Sequence, residues 1–271
     1  MSSVTPRSVV LNTTRVAPER ALPVLRLVEI GGLFGFTGNA MRVAIARLCG
    51  AGMLERDERG FYRVGAAAAA LGAHVDEWRR GEARVRPWDG GFLAVALGST
   101  RDRRARRASL RALVRMGMRE ALPGLWLRPD NLAASMEQTH ERLAELGLDS
   151  GAPTFRCRDL DESLARRLRT EVWPVEALQA AHGRALEGLE RSLARLASIS
   201  REEALVETYL AGSEAIRVLA SDPLLPDEIM PSGPRRALTE RMLAYDAIGH
   251  RLWNEMACPP LGEALGGDGA G

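Results

Sequence analysis

The stretch from Thr37 to Val64 reads TGNAMRVAIARLCGAGMLERDERGFYRV. Thr37 is a good N-cap, and Gly50 and Gly52 punctuate the far end, so a helix is expected between them. With about 100° of turn per residue, Met41, Ala44, Ile45 and Leu48 share one face. Asn39, Arg42, Val43, Ala46 and Arg47 fall on the other. The first set can pack while the second offers an amide, two guanidinium groups and small apolar groups. Beyond Gly52, Met53–Arg56 and Phe61–Val64 are strand-like runs flanking a polar tip that ends in Gly60, which is the pattern of a hairpin. A helix, a short break, a second helix and an arginine-bearing hairpin give the outline of a winged helix-turn-helix. Such a helix fits the major groove, where Asn and Arg reach base edges, and Arg56, Arg59 and Arg63 of the hairpin can pair with phosphates. The same pattern also describes a plain surface helix with arginines on its wet side, and periodicity alone does not choose between the two.

Upstream, Val9–Thr14 forms a short helix, and Ala21–Ile30 a second one with Pro18 and Pro23 near its start. Gly31, Gly32 and Gly35 are expected to break the chain. Downstream, five alanines (66–70) open a helix from Gly65 to about Arg80. From residue 84 to 160 the apolar run Phe92–Leu97, a basic helix Arg101–Met116, a strand Leu125–Arg128, a helix Asn131–Leu146 and a strand Thr154–Cys157 alternate. One more strand near Gly117–Leu122 completes a ferredoxin-like βαββαβ. Residues 161–257 read as helical throughout, in four pieces: 164–173, 175–199, 201–220 and 235–253. The Gly-rich tail from Gly262 is expected to fray. The expected fold class is therefore α+β and multidomain: a winged helix-turn-helix over 1–83, a ferredoxin-like middle domain over 84–160 and a helical C-terminal domain over 161–271.

Composition narrows function. Of 271 residues, 46% are hydrophobic and 27% charged, a globular balance. All 37 basic residues are arginine, which excludes any lysine-based nucleophile, base or phosphate loop. Cys49, Cys157 and Cys258 form no CxxC pair and no metal spacing. With no apolar run of membrane-spanning length and no leader pattern, a cytoplasmic protein without membrane contact is expected. His74, His140, His182 and His250 are far apart and read as surface or packed helical residues. No hydrolase, metalloprotease or nucleotide-loop motif is present, so no enzymatic activity, cofactor or metal is expected.

Four stretches together resemble the PaaX family of bacterial transcriptional repressors. They are AMRVAIARLCGAGMLERDERGFYRV, PWDGGFLAVAL, the helix RRASLRALVRMGM followed by LPGLWLRPDN, and SDPLLPDEIMP. They span nearly the whole chain in the family's order. The resemblance implies a winged helix, a middle domain similar to the Cas2 ferredoxin-like fold and a helical C-terminal domain. It implies a homodimer on a near-palindromic operator in double-stranded DNA, repressing a catabolic operon and released by an acyl-CoA effector such as phenylacetyl-CoA. Carried over, the motif puts Asn39, Arg42, Val43, Ala46 and Arg47 in the groove and Arg56, Arg59 and Arg63 on the wing.

For the effector, an acyl-CoA needs arginines at the pocket mouth and an apolar interior. Arg103, Arg107 and Arg111 are candidates for its phosphates, and Trp126, Trp173 and Tyr209 for its acyl end. Charge runs are usually solvated faces and large aromatics usually core, so both readings stand. The alternatives from other classes are a Cas2-like metal-dependent nuclease and a winged-helix adaptor that binds no DNA. Against the nuclease, no carboxylate ends the strand Phe92–Leu97: Asp89 precedes it and Asp102 follows in the next helix start.

Overall fold

A computed structural model describes residues 4–16, 21–98 and 102–257. Cys258, the Gly-rich tail, Arg101 and the His74 side chain lie outside the described residues. The protein is α+β, with two small antiparallel sheets and a helical C-terminal region. Contacts group the chain into two units. The first comprises residues 1–77, 185–216 and 240–271, the second 78–184 and 217–239. The first stretch ends at residue 77, and residues 161–271 contribute to both units.

The first unit begins with α1 (Pro6–Val16), a two-residue strand β1 (Leu22–Pro23), α2 (Val24–Leu33) and α3 (Gly38–Gly50). The hairpin strands β2 (Leu54–Arg56) and β3 (Phe61–Val64) follow, then α4 (Ala66–Asp76). β3 is central, pairing antiparallel with β2 and with β1. Val9, Val10, Leu27, Ile30, Met41, Ile45, Leu48 and Leu54 form the core, joined by Leu205 and Trp253 from the C-terminal helices. Burying each such aliphatic side chain is worth about 1.5–3 kcal/mol relative to exposure.

Three local expectations change here. The helix expected from Ala21 begins at Val24, because Leu22 and Pro23 pair with Tyr62 and Phe61. Gly31 and Gly32 do not break α2; the turn falls at Phe34–Thr37. Gly31 is buried where α2 meets α3, and a Cβ there would stand 2.5 Å from Met41 Cγ. It is a spacer that lets two helices approach. The helix expected to reach Arg80 ends at Asp76, followed by a 3-10 stretch, Glu77–Arg84, kinked at Gly81.

The second unit contains β4 (Phe92–Ala96), α5 (Arg103–Arg115), β5 (Arg119–Leu122), β6 (Leu125–Pro129), α6 (Met136–Glu145), β7 (Thr154–Cys157) and α7 (Glu162–Thr170). The sheet order is β5-β6-β4-β7, with every neighbouring pair antiparallel. β4 is nearly continuously apolar because both its faces are covered. Leu93 and Val95 pack with Ala112 and Leu113 of α5 and Leu143 of α6. Phe92 and Ala94 pack with Leu168, Trp173 and Leu225. The helix expected from Asn131 starts at Met136 instead, where Ser135 and Gln138 form a reciprocal cap.

The remaining helices, α8 (Val175–Leu196), α9 (Arg201–Ala220) and α10 (Gly233–Ala257), each contribute residues to both units. Among the described residues no helix is long and apolar enough to cross a membrane.

Candidate nucleic-acid interface

Helix α3 starts where Thr37 Oγ1 accepts a hydrogen bond from the Ala40 N–H at 3.3 Å. Its buried residues are Met41, Ala44, Ile45 and Leu48. Asn39, Arg42, Val43, Ala46 and Arg47 are all exposed, with Val43 at 41%. The structure therefore gathers this predicted set on one open helix face. Arg42 folds back along the helix, its Nη1 only 3.2 Å from where a Cβ on Gly38 would stand. Neither Arg42 nor Arg47 has an ion pair among the described residues, and α3 itself carries no acid.

The hairpin is built by Asp57. Its Oδ1 accepts from the backbone N–H groups of Arg59 (3.0 Å) and Phe61 (2.9 Å), and Gly60 takes the left-handed conformation with φ 83°. Arg56, Arg59 and Arg63 are exposed, as expected, but their charges are not equally available. Arg63 Nε lies 3.7 Å from Glu55, its partner across the ladder. Arg56 sits 6.0 Å from the Tyr62 ring centroid, at the limit of a cation–π contact. Burial pushes the Cys49 thiol up, and the Arg56 charge pulls it part of the way back. With Glu55, Asp57 and Glu58 beside three arginines the hairpin is charge-balanced, which the sequence reading passed over.

Of the effector candidates, Trp126 and Trp173 lie on different faces of the sheet in the second unit, buried in separate cores. Arg103, Arg107 and Arg111 are exposed on α5. The Trp173 indole donates to the Gly117 carbonyl at 3.1 Å, while Trp126 Nε1 has no hydrogen-bond partner among the described residues. Tyr209 belongs to the other unit, packed edge-on to Phe34 with ring centroids 4.9 Å apart. Burial raises its phenol, against hydrogen bonds with Ser8 and Asn12. Trp126 and Trp173 are thus core residues on different faces, and Tyr209 is half-buried against the core of its own unit.

The two carboxylates weighed for metal chemistry are otherwise engaged. Asp102 is the N-cap of α5, accepting from the N–H groups of Arg104 (2.8 Å) and Ala105 (3.2 Å). Asp89 accepts from the Gly91 N–H and pairs with Arg158. Its carboxyl is held below the usual range, first by the Gly91 bond and then, against some burial, by Arg158.

A buried ionic cluster in the second unit was not foreseen. His182, expected at a surface or in packing, is 2.6 Å from Asp222, and Asp222 Oδ1 also meets Arg235 at 3.4 Å. Arg235 is bound bidentately by Glu82 at 2.9 and 3.1 Å. Asp222 does cap the turn read from SDPLLP, accepting from the Leu224 N–H at 2.6 Å. Leu224, at φ 55°, is held in place by Asn131, whose amide donates to its carbonyl at 2.7 Å. Arg128, fully buried, donates to the Pro223 carbonyl at 3.2 Å, and burial brings its guanidinium down to about 10 against the charges of Asp130 and Asp222. The sequence signal was the pair LRPDN and SDPLLP, which the fold joins.

No protein-family model matches the chain, and no curated protein matches it. Among solved structures the chain is similar to an uncharacterized protein, Rv0674 from Mycobacterium tuberculosis, with a TM-score of 0.61 and 25% identity over 94% of this chain and 97% of that one.

Proposed function

We propose that the chain is a sequence-specific DNA-binding transcriptional repressor of the PaaX type. The observation that carries the reading is α3, capped by Thr37, anchored by four buried residues and presenting Asn39, Arg42, Val43, Ala46 and Arg47 to solvent beside a short hairpin. An exposed Arg or Asn on such a helix matches the donor and acceptor pattern of purine edges, and a valine suits a thymine methyl. The three helices and hairpin of the first unit fit a winged helix-turn-helix, and the strand order of the second fits a ferredoxin-like domain.

One recognition helix spans few base pairs, so a homodimer on two half-sites supplies the affinity a repressor needs. Release by an acyl-CoA thioester rests on the family resemblance, and no residue set is assigned to it.

The test is binding of the purified protein to the promoter DNA beside its own gene, by fluorescence anisotropy at two salt concentrations, with and without phenylacetyl-CoA. The expected result is tight, salt-sensitive, sequence-preferring binding weakened by the thioester. Binding that ignores the thioester discards the effector and keeps the repressor. Absence of specific binding at either salt removes the regulator reading for that DNA.

A further inference from the structure

We infer that the exposed face of α5 is a second surface for the phosphate backbone of duplex DNA, separate from α3. The helix carries Arg103, Arg104, Arg106, Arg107, Arg111 and Arg115, all exposed. Five of them, all but Arg106, lie within about a third of the helix circumference, surrounding Val114, which is 49% exposed. Among the described residues none of the six has an ion pair.

Arginines elsewhere commonly engage acids: Arg15 with Asp76, Arg156 with Asp130, Arg201 with Glu255 and Arg235 with Glu82. Acids are near at hand, since the neighbouring helix α6 exposes Glu137, Glu141 and Glu145. Arg142 of α6 takes Glu145. The α5 arginines take none.

This arrangement is unfavourable for the helix taken alone. Arg103/Arg107, Arg107/Arg111 and Arg111/Arg115 are like-charge pairs four residues apart, each of which opposes helix formation. Arg103 and Arg104 stand at the positive end of the helix dipole, where acids are favoured. A polyanion removes the repulsion, and guanidinium forks bind phosphate bidentately. Duplex DNA presents one phosphate charge per about 1.7 Å, against a helix of 13 residues about 20 Å long. The aromatics considered with these arginines lie elsewhere: Trp126 and Trp173 are buried, and Tyr209 belongs to the other unit. A phosphate rail fits the face better than a single small ligand does. The inference rests on the DNA-binding reading, but uses a different helix in a different unit.

The experiment compares the intact chain with R103Q/R104Q/R107Q/R111Q/R115Q and with R42A/R47A, on a fluorescein-labelled duplex of random sequence over a series of salt concentrations. The α5 variant is expected to fold, with a Tm equal to or above the parent's because repulsion is relieved. Its affinity should fall at least about ten-fold at low salt, and the slope of log K against log salt by about 0.9 for each phosphate contact removed. The R42A/R47A variant should keep the α5 share of that slope.

An unchanged slope in the α5 variant overturns the inference and leaves the α3 reading intact. A lost slope there, with R42A/R47A indistinguishable from parent on every sequence, keeps the inference and overturns the groove assignment. No salt-dependent duplex affinity in the parent overturns both. Loss of coenzyme A binding with the duplex slope intact assigns the face to a small phosphate-bearing ligand and overturns it. So does a changed sedimentation coefficient that accounts for the lost affinity, which makes the face a contact between copies.

Discussion

His182 Nε2 and Asp222 Oδ2 lie 2.6 Å apart with both side chains buried, and Arg235 meets the other oxygen of the same carboxylate. Burial alone would push the Asp222 carboxyl up. The His182 hydrogen bond, the Arg235 and His182 charges and the Leu224 N–H overcome it and hold the carboxyl below its usual value. A depressed carboxylate contributes stability that is present above the unfolded value of about 3.9 and is lost as pH falls through the folded one. Thermal melts between pH 5 and pH 3 should therefore fall more steeply for the parent than for Asp222→Asn. Asp222→Ala should cost about 3–5 kcal/mol at neutral pH, since it leaves His182 Nε2 buried without its partner and takes from Arg235 one of its two carboxylates, Glu82 remaining. Equal acid sensitivity in parent and Asp222→Asn would refute this.

Two adjacent glycines should respond in opposite directions. Gly31→Ala drives a Cβ into the buried Met41 and is expected to cost about 1–3 kcal/mol despite the better helix propensity of alanine. Among the described residues Gly32 has nothing within 4 Å of its would-be Cβ, so Gly32→Ala should stabilise by about 0.5–1 kcal/mol. Adding Met41→Ala to Gly31→Ala should cost less than the sum of the single changes, because the two sites are coupled. Denaturant titration reads all four.

On an identified operator, Arg42→Ala or Arg47→Ala should cost about 1–3 kcal/mol if the residue holds a guanine by two hydrogen bonds, and should relax preference at one base position. Arg59→Ala should weaken all sequences alike and reduce the salt slope by about 1. Arg63→Ala should do less, because Glu55 already shares its charge. Competition with single-base operator variants separates the two kinds of loss.

The tryptophans offer a packing control. Trp173→Phe leaves the Gly117 carbonyl without its donor and should cost about 1 kcal/mol beyond the lost volume. Trp126→Phe removes an indole N–H that has no hydrogen-bond partner among the described residues, so it should cost less. Where phenylacetyl-CoA binding is detected in the parent, neither change should alter it. A selective loss of that binding with Tm preserved would return the residue to an effector site.

What the sequence revealed follows the range of the interaction. The faces of α3 were legible because Met41, Ala44, Ile45 and Leu48 repeat with the helix period. The two-sided burial of β4 showed as an unbroken apolar run. β1 was invisible, since Leu22 and Pro23 are strand only because β3 lies alongside, about forty residues on. Gly31 looked like a breaker because local propensity does not show a neighbour pressing from α3. Trp126 and Trp173 could not be sorted onto opposite faces without the register of the sheet. His182, Asp222, Arg235 and Glu82 meet across separations of up to 153 residues, beyond any local pattern.

β1 is two residues long, yet it closes a ring. It runs directly into α2, α2 packs on α3, α3 touches β2, β2 pairs with β3, and β3 returns to β1. A ring can be cut once without coming apart. A protease that nicks the tip between Asp57 and Gly60 would sever the hairpin covalently, but β3 would stay attached through β1 and β2 through α3. The nicked protein should keep its shape, which makes the tip a tolerant place to insert a tag or a short foreign loop.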